Sequence, residues 1–218
     1  MIKGLLIAGN PSLLFSALCT EAAKRTEKYA AACIPRGGEA TLLDTPAKQI
    51  NLDWNPANPI SARTIILSAA NKMEPVDKVI LACVPPVYRR TVEGFSPAEL
   101  DRFTDNNIKG WFFLVRELAA LFTARGFGSL SFVLSEVQAG SRDETPDLLG
   151  PSAAAAFRSF AQGVLNSSLN ESCDVMGFSS SEPGEETAFA AYVFKILEEG
   201  RRNSGKWHRH GKFGIFGR

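Results

Sequence analysis

Short apolar runs alternate along this chain with longer stretches of helical periodicity, and few folds accept that alternation. A run such as Leu5-Leu6-Ile7-Ala8 has no polar face to offer water. It suits a strand covered on both sides, the condition of a parallel sheet wrapped by helices. The pattern predicts strands near residues 2–8, 40–44, 49–52, 76–83, 129–135, 173–179 and 212–216, with helices between them. Gly37-Gly38 stands where the first helix is expected to end. Ser96-Pro97-Ala98-Glu99 combines a capping box with proline at the first helical position, and Gly126 is the expected stop for the helical region that follows.

With 218 residues and 24 Lys+Arg against 23 Asp+Glu, the chain fits one α/β domain over residues 1–218. The charge balance carries no global footprint for nucleic acid or an anionic membrane, so neither is an expected partner. Cys19, Cys33, Cys83 and Cys173 are scattered without Cys-x-x-Cys spacing, which favours reduced thiols in a cytoplasmic protein and gives no metal site. The opening apolar run has no small-residue cleavage site, and no stretch is long enough to span a bilayer. His208 and His210 would share one face of a strand, but two histidines without a third ligand do not make a metal centre. The tail from Arg201 to Arg218 has no acidic residue; it reads as a solvated terminal strand partly used in subunit contact, or as a grip on an anionic ligand.

The region from Ser96 to Ser135 carries the most specific motifs. A capped helix start leads into Asn107-Ile108-Lys109-Gly110, and Gly128-Ser129-Leu130-Ser131-Phe132-Val133-Leu134-Ser135 follows as a strand ending in serine. This resembles the long central helix, the Asn-x-x-Gly and the active-site serine of the short-chain dehydrogenase/reductase family. The resemblance extends over almost the whole chain and implies a Rossmann-like doubly wound parallel sheet with helices on both faces.

The same resemblance implies a nucleotide site. Ala8-Gly9-Asn10-Pro11-Ser12-Leu13-Leu14-Phe15 stands where the family has Thr-Gly-x-x-x-Gly-x-Gly, a turn whose missing side chains let a pyrophosphate reach helix N–H groups. Gly9 keeps the first place and Ser12 opens the helix, while Leu13 and Phe15 fill the second and third places. Asp44, expected at the end of the second strand, would bind ribose hydroxyls and favour NAD over NADP; it also reads as a turn aspartate before Pro46. Leu52-Asp53-Trp54-Asn55 resembles the segment whose aspartate seats adenine, so Asp53 and Trp54 are candidates, with an Asx-turn before Pro56 as the plain reading. Ala82 lies where the family has Asn-Asn-Ala-Gly, here Leu81-Ala82-Cys83-Val84. Gly9 by itself is also an ordinary tight-turn glycine.

The family's reduction chemistry uses tyrosine and lysine in Tyr-x-x-x-Lys, with serine and asparagine assisting. Here no tyrosine lies between Tyr88 and Tyr192 and no lysine between Lys109 and Lys195; the helix opens with Pro151-Ser152-Ala153-Ala154-Ala155. Pro151 and Ala155 cannot move protons. Ser135 and Asn107 remain as catalytic remnants, and a serine without an adjacent base delivers no proton at useful rates. Asn107 also reads as a structural helix residue and Ser135 as a strand end. After Ser181-Glu182-Pro183-Gly184 the chain passes directly into its last helix, with little left to cover a reaction centre.

The reading that follows is a short-chain dehydrogenase/reductase-like protein without the family's catalysis. It would act through assembly or through a residual nucleotide or small-ligand site, with no cofactor or weak NAD(P). The alternatives are an NAD(P)-dependent oxidoreductase with atypical catalytic residues, and an unrelated small-molecule binder using the cleft above the strand ends. The helix near Pro151 carries Ala153 to Ala156, Phe157, Phe160, Ala161, Val164 and Leu165, and the central helix carries Trp111, Phe112, Phe113, Leu114, Leu118, Leu121 and Phe122. That is more apolar surface than one core-facing stripe needs, so a dimer is expected, either with a second copy or with a catalytic relative.

Overall fold

The structure is a computed structural model that describes residues 2–34, 48–73, 75–136, 147–167 and 169–211. Its strands are β1 (Leu5–Gly9), β2 (Tyr29–Cys33), β3 (Gln49–Asp53), β4 (Lys78–Cys83), β5 (Ser129–Ser135), β6 (Asp174–Ser180) and β7 (Lys206–His210). They form one seven-stranded sheet in the order β3-β2-β1-β4-β5-β6-β7, and every described pairing is parallel. The chain leaves β1 in one direction for β2 and β3, then returns to its other side for β4. In open α/β sheets that reversal opens a crevice at the carboxyl ends of the strands, the usual place for a ligand.

Alternate residues of each strand feed two apolar layers. Leu6, Ala8, Val79, Leu81, Leu130, Phe132 and Leu134 meet helices α2 (Pro59–Lys72), α4 (Gly110–Arg125) and α5 (Leu149–Leu165) on one face. Leu5, Ile7, Tyr29, Ala31, Ile80, Val133 and Phe178 meet α1 (Leu13–Arg25) and α7 (Glu186–Glu199) on the other. A short helix α6 (Leu169–Ser172) leads into β6. This is the Rossmann-like α/β fold that the alternation implied.

The second strand is not where the sequence pattern put it. It is Tyr29-Ala30-Ala31-Ala32-Cys33, and α1 stops at Arg25 with Thr26 as its cap, well before Gly37-Gly38. Alanine has the highest helix propensity, so this run reads as helix continuing. Between two parallel neighbours, however, with both faces covered, small side chains are accommodated and the tertiary pairing overrides propensity. Residues 40–44 lie outside the described residues, as do Gly37 and Gly38. At the other end of the sheet, β7 occupies Lys206–His210, earlier than the expected 212–216, which is also outside the described residues.

Helix α3 (Pro97–Thr104) starts as the sequence says. Ser96 Oγ accepts from Glu99 N, the Glu99 carboxylate accepts from Ser96 N, and Arg90 pairs with the same carboxylate at 3.0 Å. Between α3 and α4 one π-helical turn (Asp105–Lys109) intervenes, which the sequence pattern did not foresee. Gly126 ends α4 in the left-handed conformation, φ 71°.

The expected stop of the central helix and the capped start are thus both found, while α5 begins at Leu149 and carries Pro151 in its first turn. Phe157 faces the sheet, its ring 5.2 Å from Trp111 and 5.7 Å from Phe132. Replacing it removes a fully enclosed ring from the middle of one layer. Phe157→Ala should cost about 3–5 kcal/mol of stability, measured by urea unfolding. The backbone and side-chain hydrogen bonds from Ser96, with the Arg90 pair, hold the Glu99 carboxyl down at about 2. Because the folded value is depressed, the cap's contribution is present at neutral pH and is lost only as pH falls through that value. A carboxyl-carbon NMR titration should therefore place the Glu99 midpoint well below that of a free glutamate.

Candidate functional site

At the β1–β4 switch the end of β1 lies beside the end of β4, and the first turn of α5 packs at Gly150 against the loop after β4 at Pro86. Gly9 ends β1 and lies beside Ala82 in register. A β-carbon on Gly9 would stand 2.5 Å from the Ala82 carbonyl oxygen and 3.1 Å from the Phe15 ring. Glycine is therefore required here by close packing against β4 and α1. The Phe15 side chain lies in the core between α1 and the sheet, which explains how α1 tolerates a phenylalanine at a place the family gives to glycine. Ala82 is fully buried in the same layer, so its methyl group cannot line a ligand surface.

Ser12 caps α1, and its hydroxyl accepts from Phe15 N at 3.1 Å. One of the helix N–H groups that a phosphate would use is thereby occupied from within the chain. Leu13, the first helical residue, is 75% exposed and stands out over this helix start. Asn10 keeps a buried side-chain oxygen without a partner, a polar group at this turn that sequence reasoning did not single out.

The adenine-side candidates separate. Trp54 has no exposure at all; its ring packs 4.9 Å from Trp111 and its backbone N–H donates to the Cys33 carbonyl. It is a core residue joining β3 to α4, which corrects its assignment as a cofactor contact: an indole enclosed on all sides presents no face to a base. Asp53 ends β3 opposite Cys33 and is exposed, so it remains at the crevice rim. Asp44 lies outside the described residues, and the strand it was expected to end is β2, which ends at Cys33.

On the catalytic side, Ser135 is the last residue of β5 and pairs in register with Ser180 of β6. Asn107 sits in the π-turn, buried, with Nδ2 donating to the Phe103 carbonyl at 3.0 Å and Oδ1 buried without a partner. It bonds its own helix, not a neighbouring strand. The π-turn packs against α5, so the fold brings Asn107 beside that helix. There α5 presents Pro151 and Ala155, both exposed. Gly150, just before them, packs against the Pro86 carbonyl, and Asp147 Oδ1 accepts from Gly150 N at 3.1 Å.

Immediately beyond Ser135 is a network that no motif announced. Glu136 and Arg158 form an ion pair, Ser179 donates to the Glu136 carboxylate, Trp207 Nε1 donates to Ser179 Oγ at 3.1 Å, and the Arg158 guanidinium lies 5.1 Å over the Trp207 ring. Burial alone would raise the Glu136 carboxyl, but the hydrogen bond from Ser179 and the bond and charge of Arg158 outweigh it and hold the group below its ordinary value. Glu136 is therefore a carboxylate at neutral pH and not a proton donor. Its partners come from residues 22, 43 and 71 positions away, which is why spacing rules did not find them. Residues 137–146, which hold the loop's other carboxylates, lie outside the described residues. Among the described residues no group of three His, Cys, Asp or Glu could hold a metal ion.

No family model matches the chain, and no curated protein matches it. Solved structures do. A short-chain dehydrogenase from Mycobacterium smegmatis superimposes with TM-score 0.76 at 11% identity, covering 96% of this chain and 92% of that one. A 3-ketoacyl-(acyl-carrier-protein) reductase from Brucella melitensis, solved in complex with NADH, gives 0.75 at 14%, covering 96% and 97%. A short-chain type dehydrogenase/reductase from Mycobacterium marinum gives 0.73 at 12%, covering 95% and 93%.

The fold is that of a short-chain dehydrogenase/reductase. A β-carbon at Gly9 would press on the Ala82 backbone carbonyl, which cannot swing aside as a side chain can. Gly9→Ala should destabilise the protein by about 1–3 kcal/mol, as overpacking does, and Phe15→Ala in the same chain should not recover that loss in a thermal-melt comparison of the single and double variants.

Proposed function

We propose that this chain is a short-chain dehydrogenase/reductase-like protein that does not carry out the family's carbonyl reduction and works as a cytoplasmic pseudoenzyme, through assembly and a residual small-ligand site. The observation that carries the reading is the surface of α5 at the π-turn: Pro151 and Ala155 occupy it, and neither can donate a proton or anchor a nicotinamide ribose. Ser135 then lacks the group that would exchange protons with it, and Glu136 beside it is committed to Arg158. The phosphate end is compromised independently, because Phe15 fills the place where a third glycine would let α1 approach a pyrophosphate. If any dinucleotide binds, it binds weakly. Among the described residues no helix is long and apolar enough to cross a membrane.

Assembly is supported by the outer surface of α4 and α5. The Phe112 ring is 51% exposed and stacks on Phe160 at 4.0 Å between centroids, an aromatic pair at the surface where water would otherwise be in contact. Along α5 the exposed positions are small or polar, including Ser152, Ser159 and Gly163, and would let a second helix come close. A symmetric dimer with a second copy, or with a catalytic relative, would cover this face.

Isothermal titration with NADH and NADPH should give no saturable heat, and steady-state assays with carbonyl substrates should give no nicotinamide-dependent turnover. Pro151→Tyr alone should not rescue activity, since the lysine is missing as well. A micromolar or tighter dissociation constant, or turnover abolished by Ser135→Ala, would overturn the reading in favour of an oxidoreductase with atypical groups. Sedimentation equilibrium should show a dimer that Phe112→Asp converts to monomer without loss of thermal stability; a wild-type monomer would remove the assembly claim.

A further inference from the structure

The outermost strand carries an arrangement that the proposed function does not use. In the sheet β7 is hydrogen-bonded to β6 on one side, and among the described residues no strand pairs with its other edge. Its two faces are held differently. Trp207 and Arg209 point to the side of Glu136 and Arg158, where Trp207 donates to Ser179. His208 and His210 point to the opposite layer. The His208 ring stacks on Phe178 at 5.3 Å and 25°, and His210 lies 5.5 Å from Phe189 and 5.3 Å from Tyr192.

His208 hydrogen-bonds the Asn203 backbone, which fixes one ring nitrogen as the N–H donor toward that carbonyl. The other, Nε2, is buried and has no partner. A neutral imidazole can leave an acceptor nitrogen unpaired against an apolar ring at modest cost. A protonated one would place a second N–H and a full charge there with nothing to accept it. We propose that β7 is an acid-released strap, seated by neutral His208 against Phe178 and freed from β6 when that ring takes up a proton.

The surroundings agree with this. Burial pushes His208 below the ordinary histidine value, the Asn203 bond opposes that, Lys206 on the same strand adds to the lowering, and Glu199 of α7 opposes it. The Glu199 carboxylate is already engaged by Arg202 and Asn203, with Lys195 nearby. Tyr192, the other titratable group of α7 facing this strand end, is held above its ordinary value by burial and by Glu199, so it stays neutral. Glu182, beyond β6, lies against Gly211, past the end of the strap, and Arg209 is on the opposite face with Glu136. Among the described residues, no group partners Nε2 that could accept a new proton there.

The sign follows from which form binds the proton. The released strap exposes an ordinary imidazole that protonates near pH 6.5, while seated His208 protonates only at lower pH. Seating is therefore undisturbed above that range. It weakens as pH falls past it, by up to about tenfold per pH unit in the seating equilibrium, until the seated ring itself becomes protonated. Release would also withdraw Trp207 from Ser179 and Arg158, loosening the network next to Ser135. This inference concerns the strap alone and does not depend on what the crevice binds.

Hydrogen exchange of the full chain from pH 8 to pH 5, corrected for intrinsic rates, tests it. The amides of residues 206–210 should lose protection as pH drops below about 6.5, while those of β1, β4 and β5 keep theirs, and His208→Phe, which preserves the stack without a proton site, should stay protected throughout. Equal loss in His208→Phe, no loss in the wild type, or parallel loss across the whole sheet would each overturn the proposal. Should the variant not fold, the ring carbon-proton NMR titration of His208 in the wild type decides instead: a midpoint at or above that of free histidine overturns it, and a lower one coinciding with exchange of β7 upholds it.

Discussion

Covering a parallel sheet on both faces is the constraint from which the rest of this structure follows. Parallel strands in the middle of a sheet cannot leave one face to water when crossover helices pass over both, so the central strands must be apolar or small on each side. Leu5, Leu6, Ile7 and Ala8 are fully buried in consecutive positions, and so are Val79, Ile80, Leu81 and Ala82 beside them. Once these central strands are enclosed, α1 and α7 must lie on one side and α2, α4 and α5 on the other. The carboxyl ends at the β1–β4 reversal are then the open crevice. Gly9 is closely fitted there, between the Ala82 carbonyl and the Phe15 ring.

The same enclosure limits chemistry. A dinucleotide turn needs backbone N–H groups left free and a helix close to the strand end. Here Ser12 satisfies the Phe15 N–H, and the ring that replaces a glycine is committed to the core. Polar groups near the end of β5 are likewise engaged with one another: Glu136, Arg158, Ser179 and Trp207 close a loop of hydrogen bonds and ring contact across α5, β5, β6 and β7. Such a network stiffens the sheet edge. Buried polar atoms without a partner include those of Asn107 in the π-turn, Asn10 after β1, Asp147 before α5, and His208 and His210 on β7.

Trp207 shows how the two sides of one edge strand can have separate roles. It packs so tightly over β6 that Gly177 admits no side chain beneath its ring. One and three residues along, and on the opposite face, the histidine rings lie against phenylalanine and tyrosine. Anything that loosens one face of β7 is transmitted to the other, because a strand moves as a unit and its side chains alternate.

Local signals in the sequence determined the alternation of strands and helices, the capped start at Ser96 and the stop at Gly126. Each depends on residues a few positions apart, or on composition, and needs no knowledge of distant partners. The tertiary structure alone decided the rest. It made the alanine run Tyr29–Cys33 a strand, because two flanking strands and two helical layers outweigh helix propensity. It enclosed Trp54 against Trp111, turned Phe157 toward the sheet and left Phe112 outside. It also brought Glu136, Arg158, Ser179 and Trp207 together. These outcomes are set by contacts between residues far apart in the chain, and a periodic pattern records which residues want burial without recording what will bury them.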